Sequence, residues 1–328
     1  MTTELHMSFD HVSSDDEFDW FDEESEGMGD FEHTTVMRDE VVEAVIATAA
    51  PNGLVVDATL GGGGHSEAIL ERRADLRVIG FDRDPRAIAA ASQRLARFED
   101  RFRAVQTAFS EGGEVLAEVT REPIVGLCAD LGVSSPQIDD PSRGMSFRNA
   151  GPLDMRMDTT CGETALELIG RLDADELADI IYRYGDERRS RRIARTIKRA
   201  FDEDELATTL DLRRAIVRAV GPARIGGVDP ATRTFQALRI AVNREIEELE
   251  RLLLWGTQKL VAGGSFAVLS FHSLEDRLVK ELFRQGEVWR ALTKKPRTAS
   301  DDEVAMNPRA RSAKLRVGRR LPLPEVEE

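Results

Sequence analysis

The sequence predicts an α/β protein whose parallel sheet is interrupted by a helical insertion. Three observations carry this. Short apolar segments begin at residues 54, 77, 102 and 124, the spacing of successive β-α-β units. Four consecutive glycines, Gly61 to Gly64, stand between the first of these segments and a helical pattern. The alternation stops after Asp130, gives way to helical patterning over 164–220, and returns as an apolar segment at 265–271.

Each element follows from local pattern. Asp39 reads as the cap of a helix carrying Val41, Val42, Val45 and Ile46, stopped by Pro51-Asn52-Gly53. Leu54-Val55-Val56-Asp57 is the first strand, followed by a helix near 66–74. Arg77 to Asp82 is the second strand, and Asp84-Pro85 opens the next helix with Pro in its first turn. Phe102 to Thr107 and Ile124 to Asp130 are the third and fourth strands. Residues 131–160 are rich in Gly, Pro, Ser, Asp and Met and read as loop; the helices of 164–220 close at Pro222 and Gly226-Gly227. From Thr232 one long helix is expected, because Leu238, Val242, Ile246, Leu249 and Leu253 recur on a single face. Ser265 to Phe271 is a strand, Leu274 to Gln285 a helix, and Ala313 to Val317 a last strand. The implied division is a tail over 1–32, a sheet domain over 33–138 and 232–328, and a helical insertion over 139–231.

The formal charge of −15 is unevenly placed. Residues 1–32 hold twelve Asp or Glu and no Lys or Arg, with too little apolar content to build a core. They read as a disordered acidic extension. The rest is nearly neutral and carries two basic stretches. Residues 183–199 contain eight Arg or Lys against Asp186 and Glu187, and residues 284–320 contain eleven against four acids. A basic run is usually a solvated face and becomes a nucleic-acid surface only when a second signal agrees. Two cysteines, Cys128 and Cys161, exclude a disulfide framework and a four-thiolate zinc site, and point to a reducing cytoplasm. The apolar runs 44–56 and 260–274 fall short of the roughly 18 residues of a membrane span, so no membrane partner is expected. The acidic start lacks the basic-then-apolar succession of a secretory signal.

The glycine loop carries the first chemistry. Asp57-Ala58-Thr59-Leu60-Gly61-Gly62-Gly63-Gly64-His65-Ser66 links a strand to a helix, and glycines there let backbone approach a ligand. Asp82 ends the second strand, where a carboxylate can accept both hydroxyls of an adenosine ribose. A P-loop would require Gly-Lys-Ser/Thr, and this loop has Gly-His-Ser. The dinucleotide pattern G-x-G-x-x-G fails too, since its third glycine would fall on Ser66 or Glu67. Acids at the ends of two strands suit a ligand with a cationic amino-acid end and no pyrophosphate. S-adenosylmethionine fits that description. A tight turn without a ligand is the competing reading. Asp130 ends the fourth strand, where open α/β sheets bind ligands, although a plain helix cap would look the same.

Taken together, these segments resemble the bacterial small-subunit 16S ribosomal RNA (cytosine-N4)-methyltransferase family from His33 nearly to the C-terminus. The matching motifs are Asp57 to Ser66, Phe81 to Pro85, Asp130 to Gln137, Gly151 to Asp158, Pro230 to Ala237, Ser270 to Arg277, and Asn307 to Ser312. The resemblance implies a class I S-adenosylmethionine-dependent methyltransferase sheet (Rossmann-like) with an inserted all-helical substrate-binding domain. It implies methylation of a cytosine N4 in the decoding region, at the P site, of 16S ribosomal RNA in the small ribosomal subunit. By the family's pattern the cofactor contacts fall on Gly63, Gly64, His65, Asp82, Phe109, Asp130 and Gln137, beside Asp57 and Gly61 read from the loop itself.

The exocyclic amine of cytosine is a poor nucleophile, so transfer needs alignment and acceptors for the amine hydrogens. Many amino-methyltransferases carry Asp/Asn-Pro-Pro-aromatic after the fourth strand. Here the segment is Asp130-Leu131-Gly132-Val133, and Asp130 is the candidate acceptor. His272, just past the fifth strand, is the runner-up for proton handling; a histidine bonded to a neighbouring loop is the plainer reading. Arg143, Arg148 and Arg156 are candidates to grip RNA, and an RNA substrate gives both basic stretches the second signal they lacked. No metal is expected, because His65 and His272 have no Cys partner and the acids show no cage spacing. Nothing in the residues distinguishes a monomer from a homodimer. The alternatives are a methyltransferase of DNA or another RNA, a non-catalytic assembly factor, and, least, a hydride-transferring oxidoreductase.

Overall fold

The computed structural model describes residues 35–222 and 228–322. The acidic extension, His33-Thr34 and Gly226-Gly227 lie outside them. Among the described residues seven strands form one sheet: β1 Leu54–Asp57, β2 Arg77–Asp82, β3 Phe102–Gln106, β4 Ile124–Asp130, β5 Leu260–Ser270, β6 Trp289–Ala291 and β7 Lys314–Arg320. Their order is β3-β2-β1-β4-β5-β7-β6. The first five are parallel, while β7 runs antiparallel to β5 and β6 antiparallel to β7. The strand order reverses at β1, so the carboxyl ends of β1 and β4 flank the crevice where such sheets take ligands.

Both faces of the sheet are covered, which is why its inner strands are apolar throughout rather than alternating. Side chains still divide by parity. Val55, Ala267 and Leu269 point into one core with Val41, Val42 and Val45 of the helix Arg38–Ile46. Leu54, Val56, Phe266 and Val268 point into the other, with Leu249, Leu252 and Trp255. A third core lies within the helices after β4, built on Leu177, Ile181, Ile193, Ile197, Leu212 and Ile216.

The structure departs from the sequence reading in several places. The helix expected to run on from Thr232 is two, Thr232–Asn243 and Glu245–Lys259, parted at Arg244 with φ of 52°. Asn243 explains the break. Its Oδ1 accepts the Met157 N–H at 2.7 Å, and its Nδ2 donates to Met155 O at 2.8 Å and Arg239 O at 2.9 Å. The apolar stripe is continuous in sequence, but Leu238 serves the third core and Leu249 and Leu253 the second. Asp39 is no cap either; it sits in the first turn and pairs with Arg72. Strand β5 starts earlier than expected, and β6 escaped the pattern because it is three residues long. No helix among the described residues is long and apolar enough to cross a membrane.

Candidate active site

A cavity opens at the carboxyl edge of the sheet. Its wall combines the glycine loop, the ends of β2 and β4, and the segment after β4. The loop is shaped by two glycines in particular. Gly61, with φ of +50°, turns its N–H onto Asp82 Oδ2 at 2.9 Å. Gly64 opens the helix Gly64–Arg72, and a Cβ there would lie 1.8 Å from Thr35 Oγ1. Gly61, Gly64 and His65 line the cavity. Gly63 is set back as the helix N-cap, against Ala91 and Leu95. His65 is buried, with Nε2 at 3.2 Å from Val36 O, so it ties the loop to the segment before the first helix.

The acids take different stations. Asp57 is buried behind the loop and is not on the cavity wall. It accepts the Ser66 hydroxyl at 2.7 Å and the Thr59 N–H at 3.3 Å. Burial pushes its carboxyl up, against these hydrogen bonds. Asp82 is on the wall; Oδ1 accepts the Asp84 N–H at 2.8 Å, and burial again raises its carboxyl. Asp130 lines the cavity at the tip of β4, its N–H donating to Thr59 Oγ1 at 2.6 Å. Its carboxyl is pushed up to about 8, first by burial and then by the negative charges of Asp57 and Glu275. Phe109 is on the wall, its carbonyl accepting from Trp255 Nε1 at 2.7 Å. Gln137 is buried there too, its Oε1 accepting the Ser134 N–H at 3.1 Å and its Nε2 donating to Asp84 Oδ2 at 3.3 Å.

His272 stands apart from this cavity. It is 2% exposed and caps the helix Ser273–Phe283, its Nδ1 accepting the Glu275 N–H at 3.4 Å. Nε2 lies 3.2 Å from Glu275 Oε1, and the other carboxylate oxygen accepts the Phe271 and His272 N–H groups. Burial opposes ionisation of Glu275, yet His272 and these donors hold it below the usual range. Ligand atoms of Glu245, His272 and Glu275 fall within 4.8 Å of one another. The Arg239 guanidinium fills both oxygens of Glu245, at 2.8 and 3.0 Å, so the cluster is a compensated ion-pair network. His272→Ala should therefore cost about 2–4 kcal/mol of stability, from a lost cap and a buried carboxylate stripped of its neighbour. His272→Gln should leave the pH–rate profile of any turnover unchanged; a displaced profile would return His272 to the chemistry.

Sequence reasoning missed several wall residues: Met157 from the loop after β4, Phe271, and Asn307 and Arg309 from the C-terminal segment. The Asn-Pro-Arg motif was visible, but nothing local says that it folds back over this edge. Arg143, a candidate to grip RNA, is instead turned inward. It is 3% exposed, donates to Asp84 Oδ2 at 3.1 Å and to the carbonyl of Met157, and so ties that loop to the end of β2. Arg156 is likewise engaged, two nitrogens on Asp154 at 2.7 and 2.8 Å.

Comparison with known proteins gives a consistent answer. Residues 30–321 match the model of the MraW methylase family. A ribosomal RNA small subunit methyltransferase H from Sorangium cellulosum (strain So ce56) is 62% identical over 290 residues, covering 88% of this chain and 91% of that protein. The protein of the same name from Prochlorococcus marinus (strain MIT 9303) is 54% identical over 297 residues, covering 89% and 94%.

Proposed function

The chain belongs to the MraW methylase family, and we propose that it transfers a methyl group to the N4 of a cytosine in the decoding region of 16S ribosomal RNA. It is an S-adenosylmethionine-dependent enzyme with the class I methyltransferase sheet. The observation that carries the finer reading is Asp130: a carboxyl on the cavity wall at the tip of β4, raised to about 8 with no cationic partner beside it among the described residues.

The residues fit the cofactor. Asp82 and Asp130 on the wall are pushed up by burial and neither has an ion pair among the described residues, so both lack a compensating positive charge. A sulfonium and an ammonium would supply it. Cβ atoms at Gly61 or Gly62 would meet nothing within 4 Å, which leaves backbone open to a ligand. Bound there, S-adenosylmethionine supplies an electrophilic methyl group. Asp82 would hold the ribose hydroxyls, the Phe109 ring would pack the adenine, and Gln137 and the loop N–H groups would fix orientation.

Asp130 would accept a hydrogen bond from the target amine. As the nitrogen–carbon bond formed and the donor's carbon–sulfur bond broke to leave a neutral thioether, positive charge would grow on nitrogen, and the departing proton would pass to the Asp130 carboxylate. A carboxyl with a pKa near 8 is a far better proton acceptor than an ordinary one. Leu131, Val133, Phe271 and Met157 make the neighbouring wall apolar, which suits the faces of a base.

RNA would meet the helices after β4. The helix Ser190–Asp202 buries Ile193, Ala194 and Ile197 and exposes Arg191, Arg192, Arg195 and Arg199, which have no ion pair among the described residues. A triple Arg191→Gln, Arg192→Gln, Arg195→Gln variant should flatten the dependence of log K on log salt by about 0.7–0.9 per lost phosphate contact. An unchanged slope would remove this face from the RNA footprint. The decisive experiment for the function is mass-spectrometric mapping of methylated nucleotides in ribosomal RNA from cells lacking and regaining the protein. In parallel, methyl transfer is compared on assembled small subunits, naked RNA and DNA. A map that does not change, or transfer to DNA alone, overturns the reading.

A further inference from the structure

A second cavity, of about 220 Å³, opens where the helices after β4 meet the end of β5. Three elements build it: the C-terminal end of the helix Ala174–Gly185, the start of Thr232–Asn243, and the first turn of Ser273–Phe283. Each brings an arginine, namely Arg183, Arg233 and Arg277, and all three are exposed. Arg277 has no ion pair among the described residues. Arg183 stacks 5.3 Å from the Tyr184 ring centre, and Arg233 donates to the Asp186 carbonyl at 3.4 Å. Among the described residues the wall holds a single acid, Asp186.

Three further donors on the wall have no acceptor among the described residues. Ser273 and Leu274 are on the wall at the first two helical positions, whose N–H groups have no intrahelical acceptor, and the His272 cap serves only Glu275. Thr232, also on the wall, is 2% exposed, and its hydroxyl has no hydrogen-bond partner. Three guanidinium groups, a helix N-terminus and an unpartnered buried hydroxyl together ask for a compact oxyanion.

We propose that this cavity is a phosphate subsite that takes one phosphodiester of the RNA strand carrying the target base. The inference rests on the ribosomal RNA reading above and goes beyond it by placing one backbone contact. Its position fits that task, because it joins the helical region to the helix that directly follows β5. A strand held here would be fixed to both parts of the molecule at once, which orients the target relative to Asp130.

The test uses the full-length protein and a small-subunit ribosomal RNA fragment, titrated over a range of salt. Variants are Arg277→Gln, Arg277→Lys and Thr232→Val, with cofactor affinity and melting temperature measured on each. Arg277→Gln should weaken RNA binding roughly tenfold at low salt and lower the salt slope by about one contact. Arg277→Lys should recover most of the slope, and cofactor affinity should not move. Inorganic phosphate should compete with the RNA for the wild type and less for Arg277→Gln. Wild-type affinity and slope in Arg277→Gln overturn the subsite, and so does an equal loss of cofactor binding, which would mean a structural defect. Methyl transfer measured alongside separates the outcomes: a wild type that methylates no ribosomal RNA condemns the function itself, whereas an active enzyme indifferent to Arg277 condemns only the subsite.

Discussion

Asp130→Asn should bind S-adenosylmethionine within a few-fold of the wild type and transfer its methyl group about 10²–10⁴-fold more slowly, the usual worth of a positioned proton acceptor. The amide keeps the shape of the side chain and its backbone bond to Thr59, and removes only the capacity to take a proton. Single-turnover transfer with cofactor pre-bound isolates that step. Near-normal turnover would strike Asp130 from the chemistry. The pH dependence adds a second signature. With the carboxyl near 8 and needed as carboxylate, kcat/KM should climb with pH up to about 8 and then level. A bound sulfonium favours the charged form, so the climb in kcat should lie at lower pH.

The same carboxyl makes a stability prediction of opposite sign. Its folded pKa of about 8 lies above the ordinary value of 3.8, so the folded state holds a proton that the unfolded state has released. Stability therefore falls as pH rises from about 4 to about 8, and the whole cost is present above that. Asp130→Asn escapes it. The inactive variant should melt at a higher temperature than the wild type at pH 8 and at nearly the same temperature at pH 4.

Asp82→Ala should lower cofactor affinity about 10²–10⁴-fold, since two hydrogen bonds from ribose hydroxyls to a charged acceptor contribute roughly 1.5–3 kcal/mol each. The substitution also releases the N–H groups of Gly61 and Asp84, leaving the Leu60 N–H to Phe81 O bond to hold the loop on β2. Calorimetric titration measures the loss directly. RNA affinity at fixed salt should stay as it was, because Asp82 faces the cavity and not the arginine-bearing helices. Cofactor binding within about threefold of normal would reassign the ribose contact.

Much of the sheet was legible because β1, β2, β3 and β4 are short apolar runs ending in turn residues, and the glycine loop and Asp82 could be placed from spacing alone. What was hidden depends on contacts between distant segments. The broken helix at Arg244 is dictated by Asn243 clasping a loop nearly ninety positions earlier, and no helical periodicity registers that. Asp57 looked like a ligand contact because it ends β1; Ser66 and Thr59 occupy it instead, which only the folded loop reveals. Asn307 and Arg309 come to the cavity through the antiparallel return of β7, a pairing direction that the strand's own sequence does not announce. His272 shares its position after a strand with the cavity-lining Asp130, and its role as a cap follows from Glu275 three residues on.

The Arg143–Asp84 pair has a consequence for anyone who would miniaturise this enzyme. Excising the loop that carries Arg143 would strip a buried carboxylate of its guanidinium at the head of the helix that follows β2, two residues past the wall residue Asp82. A trimmed version would need Asp84 redesigned in the same step, as a neutral cap such as Ser, before it could be asked to hold its cofactor.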